Sequence, residues 1–366
     1  MRFYFFGGYD PAYQRNLVIR KGLRRLGDEV VECPASPRFK FWLRYPLLLI
    51  KALKSMAAGR SRREEPFCWF VPEFCHKDVP LARGLAILSG RRLVFDPLAS
   101  RYETKILDRQ RKPPGSLAAW WNRRIDGWSL RWPDLVLADT RAHRDYYIRD
   151  FRAPAWKTAV LPLGYDDEVF NPGLFADPAA GEKPFTVLFF CSFLPLHGAE
   201  TVVEAAGRVA EADSRVLFRF IGSGQTWERT RSAAASLKLD NCVFDGWLPI
   251  EDIPARIAAS DICLGVFGRG EKARRVVPHK VFQSMGMKKA VVTARTPAVE
   301  EFFSHGENIF LCDEPYGDSL PEAVLRLKGD ADLREKIAAA GFRLVKKEYS
   351  PASVARALKG LLAGCR

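Results

Sequence analysis

The chain has 366 residues, of which 48% are hydrophobic and 27% charged; this composition excludes a disordered or fibrous chain, and the length implies two domains or three. Lys and Arg number 57 against 43 Asp and Glu, a formal charge of +14, which favours phosphates, nucleic acid or an anionic membrane surface as partners. The eight cysteines are scattered and form no CxxC pair, so neither a disulfide framework nor a zinc site is expected and a reducing cytosol fits. No apolar run approaches the ~20 residues of a membrane span, and the apolar start of the chain is too short for a signal peptide.

In chain order, Arg2–Phe6 reads as a short buried strand followed by Gly7-Gly8. Asp10-Pro11 predicts a helix start, the periodicity of 13–26 an amphipathic basic helix, and Gly27 its stop. Residues 29–33 read as a second strand, which makes a β-α-β unit with parallel strands. Strands follow at 67–71, 93–96, 135–139 and 158–161, with helical or loop segments between them. A helix is expected near 80–89. Residues 171–184, rich in Pro, Gly and Ala, read as a linker. Alternation then restarts, with strands at 185–191, 216–221, 242–244, 262–266, 290–293 and 309–312. Helices are expected at 199–210, 226–237, 250–259, 278–287, 297–303, 331–347 and 351–363. The pattern predicts two doubly wound α/β units facing across a cleft, with ligands at the carboxyl ends of the strands.

Residues 33–63 carry Arg38, Lys40, Arg44, Lys51, Lys54, Arg60, Arg62 and Arg63, no acid, and interleaved Phe39, Phe41, Trp42 and Tyr45. This is the composition of a segment lying on an anionic membrane surface, or of a solvated basic helix over the first sheet. Arg109-Gln110-Arg111-Lys112 and the pair Trp120-Trp121 either extend that face or form a loop with a core aromatic pair. No nucleic-acid module is visible. His143 and His305 read as surface residues and His76 as a capping or surface residue. The histidines and cysteines show no metal-ligand spacing.

Gly7-Gly8, and Gly222 at the matching place in the second half, allow close backbone approach of a ligand. The densest signal is 261–308. After the strand at 262–266, Arg269, Lys272, Arg274 and Arg275 precede a helix that begins near Pro278 and carries Lys280, an arrangement suited to a diphosphate. Glu301 follows the strand at 290–293, where a carboxylate can take two ribose hydroxyls.

These residues resemble the donor-binding region of the family-4 glycosyltransferases: Ala258-Ala259-Ser260-Asp261, then Pro278 to Gln283, Glu301 and Gly306-Glu307-Asn308. Leu161 to Asp166, Leu194 to Gly198 and Val243 to Leu248 are similar to further segments of that family. The resemblance covers 158–349 densely and 1–157 thinly. It implies the GT-B fold: an acceptor-binding domain at 1–170, a nucleotide-sugar domain at 171–350, and a final helix, 351–366, packing back on the first domain. It implies a retaining, metal-independent transfer from a nucleotide-diphospho-sugar to a hydroxyl of a glycan or lipid-linked acceptor, with no further cofactor. Envelope polysaccharide or glycolipid synthesis at the cytoplasmic face of the membrane is the implied setting. Donor contacts are expected from Gly7, Gly8, Ser192, His197, Gly222, Trp247, Leu248, Lys272, Arg275, Lys280, Gln283 and Glu301, and catalytic participation from Asp96 and Glu271. The sequence departs from the family where Ser192 and His197 replace an Arg and Lys, and where Gln283 replaces the second of two glutamates. Those departures leave open a catalytically weak nucleotide-sugar-binding relative that serves as a partner subunit.

Overall fold

The strands of the computed structural model pair in parallel, and most are apolar runs buried along most of their length, while Glu29–Pro34, Thr158–Val160 and Cys242–Gly246 are largely half-buried; a sheet covered on both faces buries its central strands in this way. The structure describes residues 1–58, 66–175, 183–314 and 316–364. Arg60, Arg62, Arg63, Cys365 and the middle of the expected linker lie outside them. The chain divides into two units, 1–162 with 351–366, and 163–350.

The first unit holds β1 (Arg2–Gly7), β2 (Glu29–Pro34), β3 (Phe67–Val71), β4 (Arg92–Phe95), β5 (Leu135–Ala138) and β6 (Thr158–Val160). They are ordered β2-β1-β3-β4-β5-β6. Its helices are α1 (Gln14–Arg25), α2 (Phe41–Ala58), α3 (Val79–Ser89), α4 (Leu117–Ser129) and α5 (Arg141–Phe151). Helix α1 starts later than the sequence suggests. Asp10 spends its carboxylate on the Ala12 N–H, 2.9 Å away, and its carbonyl on the Tyr13 N–H, so Asp10-Pro11 form a turn before the helix. Gly27, at φ +79°, ends the following turn.

The second unit holds β7 (Phe185–Cys191), β8 (Val216–Gly222), β9 (Cys242–Gly246), β10 (Ile262–Leu264), β11 (Ala290–Ala294) and β12 (Phe310–Cys312). Their order is β12-β11-β10-β7-β8-β9, the doubly wound order whose direction of winding reverses between β7 and β10. Its helices are α6 (Ala199–Ala212), α7 (Trp227–Ser236), α8 (Ile253–Ala259), α9 (His279–Gly286), α10 (Pro297–Glu300), α11 (Tyr316–Gly329) and α12 (Ala331–Glu348). Helix α10 is shorter than expected, and α11 is a helix the sequence analysis does not anticipate.

The last helix, α13 (Pro351–Gly364), returns to the first unit. Val354, Ala355, Leu358 and Leu362 face its core at helical spacing. Gly22 of α1 sits against the Pro351 carbonyl, where a Cβ would come within 1.9 Å of the oxygen. Lys359 Nζ is 2.7 Å from the Asp28 carboxylate, which also holds the N-terminal ammonium at 3.1 Å.

Candidate functional site

The reversal between β7 and β10 leaves a crevice at the carboxyl ends of the second sheet, the place where such folds bind ligands. The backbone approaches closely there. At Gly222, φ +135°, a Cβ would lie 1.8 Å from the Cys191 carbonyl oxygen, so only glycine lets β8 end against β7. The loop after β10 docks on the short turn Pro195–His197, with the Phe267 N–H donating to the His197 carbonyl at 3.1 Å.

Lys280, the second residue of α9, is 5% exposed. Its ammonium lies 3.9 Å from the centroid of the Phe189 ring of β7 and has no hydrogen-bond partner. Burial lowers its pKa to about 8, offset in part by the neighbouring Cys191 and Cys263 thiols. His197 is buried beside it, with Nε2 at 3.5 Å from Ser192 Oγ and Nδ1 unbonded. Burial, reinforced by the charges of Lys280 and Lys272, pushes its pKa well below the usual imidazole range. The imidazole is therefore neutral, able to donate from one nitrogen and accept at the other. Lys272 is buried on the β10–α9 loop. The buried Lys280 ammonium, without a hydrogen-bond partner, is costly, and an incoming anion would remove that cost. A strongly charged oxyanion is what such a cluster could receive.

The structure brings Ser192, His197, Lys272 and Lys280 together, with Gly222 closing the turn behind Cys191. Other expected donor residues lie on the segments around this cluster, and the Arg275 N–H donates to the Lys272 carbonyl at 3.1 Å. Arg275 pairs with Glu271 at 2.8 Å. Gln283 is buried three residues along α9. Trp247 is exposed and Leu248 half-buried after β9, and Glu301 is half-buried at the end of α10.

The other expected site residues fall in the first unit. Gly8 gives its N–H to Asp78 at 2.8 Å, and a Cβ there would strike the Arg44 guanidinium. Gly7 packs on Cys75. Asp96 is 1% exposed, and its carboxylate is held by Arg15 at 2.7 Å, a guanidinium that also donates to the Leu161 and Pro162 carbonyls. The two catalytic candidates are each paired with an arginine, Asp96 with Arg15 and Glu271 with Arg275. The histidine readings need correction. His143 is buried between Asp139, at 2.6 Å, and Glu103, at 3.3 Å; burial opposes its charge, yet these carboxylates raise its pKa to about 9. His76 is buried on the Phe95 ring. His305 is exposed, as expected. Trp120 and Trp121 are exposed and stacked, not a core pair. Sequence reasoning missed Phe189, the aromatic floor under Lys280. In a strand of apolar residues nothing separates it from ordinary core.

Residues 201–360 match the family model described as glycosyl transferase-like. No curated protein matches the chain in sequence. Among solved structures, HepE from Anabaena in complex with UDP-glucose is similar over 99% of this chain and 98% of its own, with TM-score 0.69 and 17% identity. Sucrose-phosphate synthase from Thermosynechococcus elongatus is similar over 99% and 98%, with TM-score 0.73 and 15% identity. A glycosyltransferase from Rickettsia africae is similar over 94% and 87%, with TM-score 0.62 and 14% identity. These likenesses show a shared two-domain α/β architecture.

Proposed function

We infer that this chain, a group 1 glycosyltransferase of GT-B type, moves a sugar from a nucleotide-diphospho-sugar to a hydroxyl of a glycan or lipid-linked acceptor, with retention and without a metal ion. The observation that carries this reading is the buried, unpartnered Lys280 ammonium at the β7–β10 reversal. HepE, which shares the fold, binds UDP-glucose in the same architecture.

In this mechanism the diphosphate takes Lys280 as its buried counter-charge, with the neutral His197 imidazole and the Ser192 hydroxyl as hydrogen-bonding partners. The first N–H groups of α9 add partial positive charge. Lys272 and Arg275 meet the outer phosphate oxygens, Glu301 takes the ribose hydroxyls, Trp247 and Leu248 flank the base, and Gln283 bonds a sugar hydroxyl. Catalysis then rests on positioning and on stabilising charge as the diphosphate departs. Asp96 and Glu271 are the catalytic candidates of this reading; Asp96 lies 2.7 Å from Arg15 and Glu271 2.8 Å from Arg275. The acceptor is assigned to the first unit, in envelope polysaccharide or glycolipid synthesis at the inner face of the cell membrane. Among the described residues no helix is long and apolar enough to cross a membrane.

A second reading, a nucleotide-sugar-binding partner subunit of low activity, is favoured by Ser192 and Gln283 standing where the family has charged groups. Thermal-shift measurements with UDP, GDP, ADP and their sugars test the main reading. A nucleotide at a hundred times its dissociation constant adds ~2.7 kcal/mol of stability, and Lys280→Ala is expected to abolish that shift. A full shift retained by the variant removes Lys280 from the site. Donor binding without release of nucleotide diphosphate in the presence of membrane extract supports the second reading.

A further inference from the structure

The first unit has its own winding reversal, between β1 and β3, and a cavity of about 560 Å³ opens there. Gly8, after β1, and Phe74, after β3, line it. Cations line it from three stretches: Lys40 and Arg44 at the start of α2, Lys77, and the single segment after β4 that carries Arg101, Lys105 and Arg109. Among the described residues no carboxylate lines it. Arg44 is neutralised by Asp78, which it grips at 2.9 and 2.7 Å. The deeper pair is less well matched. The Arg101 Nε is buried without a hydrogen-bond partner. Burial, with Arg101, Lys77, Arg111 and Arg109 close by, lowers the Lys105 pKa to about 8. Such crowding of like charge is unfavourable until an anion enters.

The same cavity is walled by Phe39 and Trp42. From there α2 runs out with Trp42, Leu43, Leu47, Leu49, Ile50 and Leu53 exposed, while Arg44, Leu48 and Ala52 face inward at every fourth position. An exposed apolar helix face beginning at the lip of a cationic cavity fits one kind of ligand: a negatively charged head on a hydrocarbon anchor.

We propose that this cavity binds the phosphate or diphosphate group of a membrane-anchored acceptor, with the exposed face of α2 seated in the headgroup region of the bilayer. That the bound lipid is the acceptor rests on the transfer reaction inferred above; the anion site and the membrane contact stand apart from it.

The full chain is mixed with vesicles of phosphatidylcholine alone, or with phosphatidic acid or phosphatidylglycerol at equal molar fraction, and floated on a density gradient. The expected result is about tenfold or greater enrichment on phosphatidic acid, whose phosphate is terminal, over phosphatidylcholine, with phosphatidylglycerol weaker. Arg101→Gln with Lys105→Gln removes the enrichment. Lys40→Gln with Lys77→Gln, nearer the rim, reduces it and guards against a folding defect in the first pair, with near-UV circular dichroism checking both. Leu43→Ser with Ile50→Ser abolishes flotation but keeps the thermal shift given by inorganic diphosphate. Equal flotation of wild type and both charge variants overturns the anion site. A diphosphate shift that the charge variants abolish, with no vesicle binding by wild type, overturns the lipid source and leaves a site for a soluble phosphate. Flotation is unaffected by Lys280→Ala, so failure of nucleotide to bind overturns the transfer reaction while leaving the vesicle result standing.

Discussion

Lys280 holds a charge in a place that does not solvate it. The Phe189 face compensates in part, since a cation over an aromatic ring gains roughly 1–2 kcal/mol when desolvated. The remaining cost appears as a pKa lowered by burial to about 8, against 10.5 for an ordinary lysine. The sign follows directly. Between about pH 8 and 10.5 the unfolded chain holds a proton that the folded protein has lost, so this residue makes stability rise with pH across that window. At pH 7 the folded protein carries the whole burden of the buried ammonium. Lys280→Met, of similar length and without charge, is therefore expected to be more stable than wild type at pH 7 by about 2 kcal/mol, while losing the nucleotide shift. A diphosphate reverses the balance by restoring the cation, so nucleotide binding near pH 8.5 takes up a proton. Titration calorimetry in two buffers of different ionisation enthalpy reads that uptake. Equal apparent enthalpies in both buffers for wild type would show that no proton is taken up and that the ligand does not restore the Lys280 cation, whereas an uptake that survives in Lys280→Met would show that another group is responsible.

Helices and strands in this chain differ in how much of them can be read locally. Most of the described strands were legible because a buried parallel strand is a short apolar run, as in 67–71 and 185–191. Helix α11 was not, because Gly317 and Pro321 punctuate it like a loop, and only burial of Tyr316, Leu320, Val324 and Leu327 against the second core holds it. Among candidate site residues, Lys280 was legible from its place in the first turn of a helix that follows a basic loop. The first-unit cavity was not, since its cations come from stretches that only the β2-β1-β3-β4 winding makes neighbours. His143 was unreadable for a related reason: its partner Glu103 lies 40 residues away. Packing also sets what glycine does in a helix. Gly22 in α1 and Gly84 in α3 look alike in sequence, and alanine is the better helix former by about 1 kcal/mol at either. A Cβ at Gly84 meets nothing within 4 Å, whereas at Gly22 it strikes the Pro351 backbone. Gly84→Ala is expected to raise stability by up to ~1 kcal/mol and Gly22→Ala to lower it by roughly 1–3 kcal/mol. Chemical denaturation of the two variants compares them, and shifts of the same sign would show that α13 yields without cost.

At the scale of the molecule, the two units are not equally self-contained along the chain. The second is one continuous stretch, 163–350, with all six strands of its sheet and its own core. The first is completed only by α13, which arrives after the second unit has been made. Val354, Leu358 and Leu362 each bury against its core, and at about 1.5–3 kcal/mol for each large apolar side chain their sum rivals the 5–15 kcal/mol that holds a typical domain together. The Asp28 carboxylate reinforces the dependence. It is buried, and Lys359 of α13 supplies one of its two cationic partners. A fragment 163–350 is thus expected to fold alone and to keep the nucleotide thermal shift. A fragment 1–162 is expected to retain helical far-UV circular dichroism but to lose the near-UV signal of Trp69 and its aromatic neighbours, and to regain it when a peptide of 351–366 is added. Native near-UV spectra from 1–162 alone would mean that the last helix covers the first core without completing it, and that the return of the chain contributes little to its folding.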